Sequence, residues 1–453
     1  MDAQHQSIIW KLKPFYINHY LKVILSRIIL TIGLRFKSPI IVAMAIILSL
    51  YRASSILATK KSKNKLIVLH KMGGFEDIEE TFKLHHAKFD ILLMRREYLK
   101  RICTKFFSSE LGDLNYLSES TESEREEYRA FLTKVFNRIL QVLNVKAILK
   151  FNIVYYSERE LPAVCSSLGI KSLILQKEGL RPNISWQKMV DIYKCQLKPF
   201  LGHKVLTYNY DTKKCLISSG IVDSSDVEII GMPRLDFSHK IREDRSPDPN
   251  CPVVVYYLID KISGLCNYID SNGKITSMRY EDNEGSIFYW DDLIERSNNA
   301  VIDYARANPD LQFIFKGKGK FENYKTDFSA KLPGNCKIAT GATGHTLLKE
   351  ASVIIGFNTT AIIEGIAAGV PVIVPLLFSS EPEEMKKYIL DTKGAVSYAK
   401  TESELGNLIA EFSSKERAST LIQKEKSILD RALGNSDGKS SERLRMFLDT
   451  IMN

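Results

Sequence analysis

The sequence predicts an α/β protein of two domains, each built on a parallel sheet covered by helices on both faces, behind an apolar, basic N-terminal segment. Three observations carry this expectation. Short β-branched runs alternate with helix-period stretches along most of the 453 residues, the pattern of strand–helix–strand crossovers. A polar, charged, proline-bearing break, SHKIREDRSPDPNCP over 238–252, splits that alternation into two series and reads as a linker. The stretch IIGFNTTAIIEGIAAGVPVIVP, Ile354 to Pro375, reads as strand, turn, short helix, glycine stop and strand.

In the first series, KLIVLHK (65–71) is a strand closed by Gly73-Gly74, and FDILLMR (89–95) repeats the type. ESEREEYRAFLTKVFNRILQVLN (122–144) has apolar residues at helical spacing. VKAILKFN, SERELPAVCSSLG and IKSLILQKEG follow as strand, glycine-stopped helix and strand, and KVLTYN and VEIIGMPRLD add two strands. The second series opens on VVVYYLI, continues through the helix DDLIERSNNAVIDYARANPD, the strand LQFIFKGKGK and the strand CKIAT, and reaches the helix GHTLLKEA. SVIIGFN, TTAIIEGIAAG and VPVIVPLL then read as strand, helix and strand, and the chain beyond Glu381 as mostly helical. The expected limits are an N-terminal segment over 1–60, a first domain over 61–240, a second over 250–435 and a C-terminal helix over 436–453.

Apolar residues at 45% and charged residues at 26% are those of a globular chain able to bury two cores. A net charge of +10 points to an anionic partner. The lysines are spread out, with no basic helix interleaved with aromatics, so no nucleic acid is expected. Seven scattered cysteines without a C-x-x-C pair support neither a disulfide framework nor a zinc site. At the N-terminus, LKVILSRIILTIGLR and SPIIVAMAIILSLY are each shorter than the roughly 20 apolar residues of a spanning helix. Lys11, Lys13, Lys22, Arg27, Arg35 and Lys37, then Arg52, Lys60, Lys61, Lys63 and Lys65, flank or interrupt them. That pattern suits a hydrophobic, basic helical extension lying in a cytoplasmic leaflet, or else a buried helix pair.

In open α/β sheets, ligands sit at the carboxyl ends of strands, where helix N-termini present unpaired N–H groups. Asn358, Thr359 and Thr360 fall at such a point, one as helix cap and the others facing a ligand. Glu364, about one turn in, is placed to accept hydrogen bonds from two adjacent hydroxyls, such as those of a ribose; alternatively it is a solvated first-turn carboxylate. Lys316 and Lys318 in FKGKGK sit on a glycine-punctuated turn after a strand, suited to a diphosphate or simply a solvated basic turn. His345, in ATGATGHTLLKE, is near a helix start, placed to hold a phosphate or a base edge or else a surface histidine on the cap side; no G-K-[ST] follows the glycines, so this is not a P-loop.

The stretch VIIGFNTTAIIEGIAAGVPVIVP resembles the donor-binding segment of GT-B glycosyltransferases, in particular of the bacterial capsule and surface-polysaccharide branch. EIIGMPRLDF (228–237) is similar to the G-N-P-R-x-D segment of that branch, with Met232 in place of the usual Asn. CSSLGIKSLILQKEG (165–179) resembles its crossover into a Glu-Gly loop facing the cleft. The resemblance spans roughly residues 65 to 400, and implies two Rossmann-like domains facing a cleft. It further implies a nucleotide-sugar in the C-terminal domain, an acceptor in the N-terminal domain, and no metal or other cofactor. Glu178 before Gly179 is then the candidate general base, with His70 as rival, and Arg234 either meets phosphate or ties domain to linker.

The expected activity is transfer of a sugar from a nucleotide-sugar to a lipid-linked or polysaccharide acceptor in bacterial surface-glycan synthesis, at the cytoplasmic face of the inner membrane. The competing readings are a CDP-alcohol-phosphate polymer transferase, a sugar-nucleotide epimerase, and a non-catalytic assembly protein of the same fold.

Overall fold

The computed structural model describes residues 21–53, 62–70, 72–83, 87–107, 116–177, 179–196, 200–245, 248, 250–259, 267–269, 275–277, 290–317, 332–339, 344–378, 388–414 and 421–453. The chain begins with α1 (residues 21–35) and α2 (Pro39–Ser49), followed by β1 (Tyr51–Arg52), β2 (Lys65–His70), α3 (Met72–Lys83), β3 (Asp90–Arg95) and α4 (Arg96–Cys103). Next come α5 (Glu122–Val142), β4 (Val145–Lys150), α6 (Leu161–Ser167), β5 (Lys171–Gln176), α7 (Asn183–Gln196), β6 (Lys204–Thr207), α8 (Tyr210–Ser218) and β7 (Val227–Ile229). These strands form one seven-stranded sheet in the order β1-β3-β2-β4-β5-β6-β7. All its pairs are parallel except the antiparallel edge pair β1–β3.

After α9 (Asp236–Asp244) the second series runs β8 (Val253–Tyr257), the small antiparallel pair β9 (Asn267–Ile269) and β10 (Ile275–Ser277), α10 (Trp290–Ala307), β11 (Gln312–Lys316) and β12 (Cys336–Ile338). It continues with α11 (Gly344–Leu348), β13 (Ala351–Ile355), α12 (Thr360–Ala367), β14 (Val372–Pro375), β15 (Ser397–Ala399), α13 (Glu402–Ser413), α14 (Gln423–Leu433) and α15 (Ser440–Met452). Its sheet is wholly parallel, in the order β12-β11-β8-β13-β14-β15. Numbered by appearance that is 3-2-1-4-5-6, a doubly wound sheet with its topological switch between β8 and β13. The first sheet switches likewise between β2 and β4. The apolar runs are continuous because both faces are covered: every residue of β13 and β14 is buried.

Several sequence expectations need correction. Gly73 and Gly74 lie inside the first turn of α3 rather than in a turn closing β2. The stretch expected to be a linker begins as helix, residues 238–244 belonging to α9, because Ile241 of α9 is buried and Arg242 and Arg245 bind carbonyls of the second unit. The first unit starts before residue 61, since Tyr51 and Arg52 pair with β3. Nor do α1 and α2 form an appended extension: Ser26 of α1 contacts Tyr98 of α4, Arg27 pairs with Glu97, and α2 buries Val42, Ala45 and Ile46 in the core it shares with α5. The C-terminal helix returns to the first unit, where Asn64 donates to the Met452 carbonyl (2.8 Å) and Lys171 to that of Ile451 (3.0 Å).

The junction of α9 and α15 sets an opposed pair of pH dependences. The Asp236 carboxylate accepts from the backbone N–H groups of Ser440 (3.1 Å) and Ser441 (2.6 Å), capping α15. Burial outweighs those bonds and pushes its carboxyl from 3.8 up to about 6. His239 goes the other way: burial, aided by Arg242 and opposed by Asp437, takes it from 6.5 down to about 4. As pH falls from 6 toward 4 the folded chain binds the Asp236 proton before the unfolded chain does, adding stability of about 3 kcal/mol. Over nearly the same window only the unfolded chain protonates His239, which removes a similar amount. His239→Phe is therefore expected to gain stability relative to the parent as pH falls through this window, and Asp236→Asn to lose it. Unfolding midpoints against pH check this, and three superimposable profiles would refute it.

Candidate functional site

The crevice at the carboxyl ends of β8 and β13 collects the most informative side chains. β13 leads through Gly356 and Phe357 to Asn358, whose φ of 45° is left-handed, a conformation asparagine tolerates. Its side chain is buried and committed: Nδ2 donates to the Tyr388 carbonyl (2.7 Å), and Oδ1 accepts from the Leu390 N–H (2.9 Å). Asn358 is thus a strut holding 388–390 against the turn, which corrects its reading as a ligand-facing group. Thr359 is the N-cap of α12, its hydroxyl accepting from Ala361 N (3.3 Å), and Thr360 is exposed at the first helical position. Gly365 lets this helix lie close on its strand, since a Cβ there would sit 2.7 Å from Ile354 Cδ1.

Glu364 is half-buried one turn into α12. A Cβ on Gly344, at the start of α11, would sit 3.1 Å from its Oε2 and 3.4 Å from the Tyr257 hydroxyl. The Glu364 carboxylate, the Tyr257 phenol and the bare Gly344 backbone therefore share one small space. Burial, and then the Glu364 charge, push the Tyr257 phenol well above its ordinary range, so it stays a neutral donor.

The first unit contributes Arg234. Its backbone N–H and Nη1 donate to Asp77 of α3 (3.1 and 3.2 Å), and Nη1 also donates to the Tyr208 hydroxyl (2.9 Å). Tyr208 in turn donates to Asp77 (2.5 Å). Burial works against the guanidinium charge, but Tyr208, Asp77 and then Glu364 and Glu76 more than offset it and hold it protonated. Arg234 thus ties together elements of its own unit, where the sequence suggested a tie to the linker, while lying within electrostatic reach of Glu364 on the other.

Lys316 ends β11 in register with Tyr257, at the same edge of the sheet, and burial lowers its ammonium pKa. His345 is in α11 and His70 ends β2 beside the switch of the first sheet, their side chains lying outside the described residues. Lys318 and Glu178 also lie outside them. The structure therefore brings Glu364, Thr359 and Arg234 toward one crevice, sets Lys316 on its edge and removes Asn358 from the ligand-facing set. Tyr257, Gly344, Asp77 and Tyr208 escaped the sequence reading. Tyr257 was findable as the last residue of the VVVYY strand once β8 is known to be the switch strand. Asp77 carries no local signal, because its partner lies 157 residues away. Among the described residues, no group of three His, Cys, Asp or Glu side chains is placed to hold a metal ion.

Comparison with known families and with curated proteins finds no match to the chain. Among solved structures it is similar to UDP-GlcNAc 2-epimerase from Neisseria meningitidis bound to UDP-GlcNAc, at 12% identity and a TM-score of 0.49, covering 86% of this chain and 100% of that one. It is also similar to the wall teichoic acid polymerase TagF, at 9% identity and a TM-score of 0.47 over 96% and 98% of the two chains. A glycosyltransferase from Rickettsia africae gives 12% identity and a TM-score of 0.43 over 86% and 98%. At these identities and scores none of the three assigns an activity.

Proposed function

We propose that the chain is a GT-B-type glycosyltransferase that moves a sugar from a nucleotide-sugar to a lipid-linked or polysaccharide acceptor of a bacterial surface glycan. The observation that carries this reading is Glu364, half-buried at the switch of a 3-2-1-4-5-6 sheet and within electrostatic reach of Arg234 of the other unit. A carboxylate there suits the paired hydroxyls of a ribose. The N-terminus of α12, Lys316, Lys318 and His345 would face the diphosphate, with Arg234 adding positive potential. The acceptor hydroxyl attacks the sugar C1 as Glu178, or His70, takes its proton, and the nucleoside diphosphate leaves with the electron pair of the broken bond. The nucleotide-sugar is a substrate, and the reading calls for no resident cofactor.

Thermal melting with UDP, GDP, dTDP, ADP, CMP and CDP tests it. A ligand at 100 times its dissociation constant adds about 2.7 kcal/mol, and Glu364→Ala should abolish that shift while melting normally on its own. A response to CMP or CDP would favour the alcohol-phosphate transferase. Silence from all six, or an unchanged shift in Glu364→Ala, would sink the donor site and favour an assembly protein.

The same reading puts the enzyme on the cytoplasmic face of the inner membrane. No helix of the described residues is long and apolar enough to cross a membrane. However, α1 is apolar on two sides: Val23 and Leu30 are buried, while Leu21, Leu25, Ile28 and Ile32 are exposed at helical spacing, with Phe36 beyond them. Exposed Lys22, Arg35 and Lys37 flank that stripe, as for a helix lying in an anionic interface. Sedimentation with anionic vesicles should capture the chain, and Ile28→Glu with Ile32→Glu should weaken capture at least about tenfold. Equal capture of the variant would remove the membrane from the proposal.

A further inference from the structure

A second polar cavity lies in the first unit, away from the crevice of β8 and β13. It sits at the carboxyl end of β4, on the face covered by α5 and α6, and has a volume of about 110 Å³, room for several waters or one small anion. Arg125 and Arg129 of α5, Lys150 at the end of β4 and Arg159 line it, with Glu160 as the one carboxylate in the lining. That is four cations against one anion. The anion is already engaged, since Glu160 accepts from Arg129 Nε (2.5 Å) and from the Tyr116 hydroxyl (3.1 Å).

Two of the cations are fully enclosed. Arg125 is 3% exposed, and its Nε has no hydrogen-bond acceptor among the described residues; the exposed Glu122 carboxylate is 4.0 Å from Nη2. Lys150 is 1% exposed and donates to the Glu158 carbonyl (3.0 Å), which uses one of its three protons. Burial, reinforced by Arg159 and Arg96 and opposed by Glu158 and Cys165, brings its ammonium from 10.5 down to about 8. Glu158 itself is paired with Arg96, so that pair adds no net charge. Buried cations left short of acceptors cost the fold stability unless something negative completes them.

The structure assigns this cavity as a binding site for a phosphoryl group. The lining's excess of three positive charges matches a doubly charged phosphomonoester better than a single carboxylate, and a guanidinium with an unused N–H beside an ammonium with unused protons supplies donors for a tetrahedral oxyanion. Ile153, Ile174 and Phe200 form an apolar wall next to these donors, and Leu201 on the lining is 58% exposed, so the group is carried on a body with apolar surface. A soluble phosphate ester and the headgroup of a phosphomonoester lipid offer the same chemistry. The inference is independent of the nucleotide-sugar reading, because none of these residues belongs to the β8–β13 crevice.

The test is melting of the full chain against inorganic phosphate at constant ionic strength, with chloride as the control. Phosphate should stabilise the parent saturably. Arg125→Met and Lys150→Met should each bind phosphate at least tenfold more weakly, while melting without phosphate at or above the parent's temperature. Arg159→Gln, on a half-buried part of the lining, gives a further reading should either buried variant fail to fold. Vesicles carrying phosphatidic acid, compared with vesicles of equal charge carrying phosphatidylglycerol, separate the two sources. A preference for phosphatidic acid that Lys150→Met loses marks a lipid headgroup, whereas phosphate binding without that preference marks a soluble ester. Phosphate shifts that are equal in parent and variants, or no saturable response to phosphate or phosphatidic acid, would overturn the site. Through all of this the nucleotide-induced shift should be unchanged in the variants, so failure here and failure of the donor site are told apart.

Discussion

Replacing Arg234 with Met is expected to cost the fold about 3–5 kcal/mol, because it strands a buried carboxylate. Asp77 is fully enclosed, and its charge is met by the Arg234 guanidinium (3.2 Å), the Arg234 backbone N–H (3.1 Å) and the Tyr208 hydroxyl (2.5 Å). Without the guanidinium only the two neutral donors remain, and neither balances a full negative charge out of water. Adding Asp77→Asn removes the stranded charge while keeping an acceptor for the Tyr208 hydroxyl. The double variant should therefore recover at least half of the loss. The measurement is a double-mutant cycle of unfolding midpoints; costs that simply add would show that the two side chains act independently. Because Arg234 also feels Glu364, the cycle bears on the crevice as well. Glu364 would lose a positive potential, and a nucleotide diphosphate would lose one too.

The parts of the fold that were legible in the sequence are those set by local pattern. β2 to β8, β11, β13 and β14 announce themselves as apolar runs bounded by turn residues, and α5 and α10 by helical spacing. β1 and β15, of two and three residues, carry no period, and only their pairing with a neighbour makes them strands. α9 reads as a linker because charge and the nearby prolines mask it, while the contacts that order it are tertiary: its Arg242, and Arg245 just past its end, reach carbonyls 106 to 125 residues away. The same division runs through the site. Thr359 as a cap and Glu364 about one turn into the helix follow from spacing. Asn358 looked like a ligand contact because its partners, 30 and 32 residues on, cannot be read from its own neighbourhood. The phosphoryl pocket gave no motif at all, since its cations come from α5, β4 and the approach to α6 and meet only when the sheet forms.

Arg242→Met is expected to cost as much as Arg234→Met, by a different route, and to disturb the crevice from the far end of α12. The Arg242 side chain is 6% exposed, and its Nε donates to the Ala367 carbonyl (3.0 Å). Its Nη2 donates to the Ile366 carbonyl and lies 3.2 Å from Glu425, itself buried in α14. One guanidinium thus caps the last turn of α12, where a cation meets the negative end of the helix dipole, and neutralises a carboxylate of another helix. Gly369 closes over it with φ at 71°, and a Cβ there would sit 3.2 Å from the guanidinium carbon. Methionine fills similar volume but uncaps two carbonyls and takes the guanidinium charge away from the buried Glu425 carboxylate, a loss of about 3–5 kcal/mol in unfolding free energy. Arg242→Lys restores the charge but not the planar fork that spans α12 and α14, so it should recover less than half. A lysine variant as stable as the parent would show that charge alone suffices. Since Glu364 rides on α12, the nucleotide-induced melting shift should also shrink in both variants, although Arg242 binds the carbonyls at the opposite end of that helix. A full shift at reduced stability would mean that β13 and the Thr359 cap hold α12 in place without help from its C-terminus.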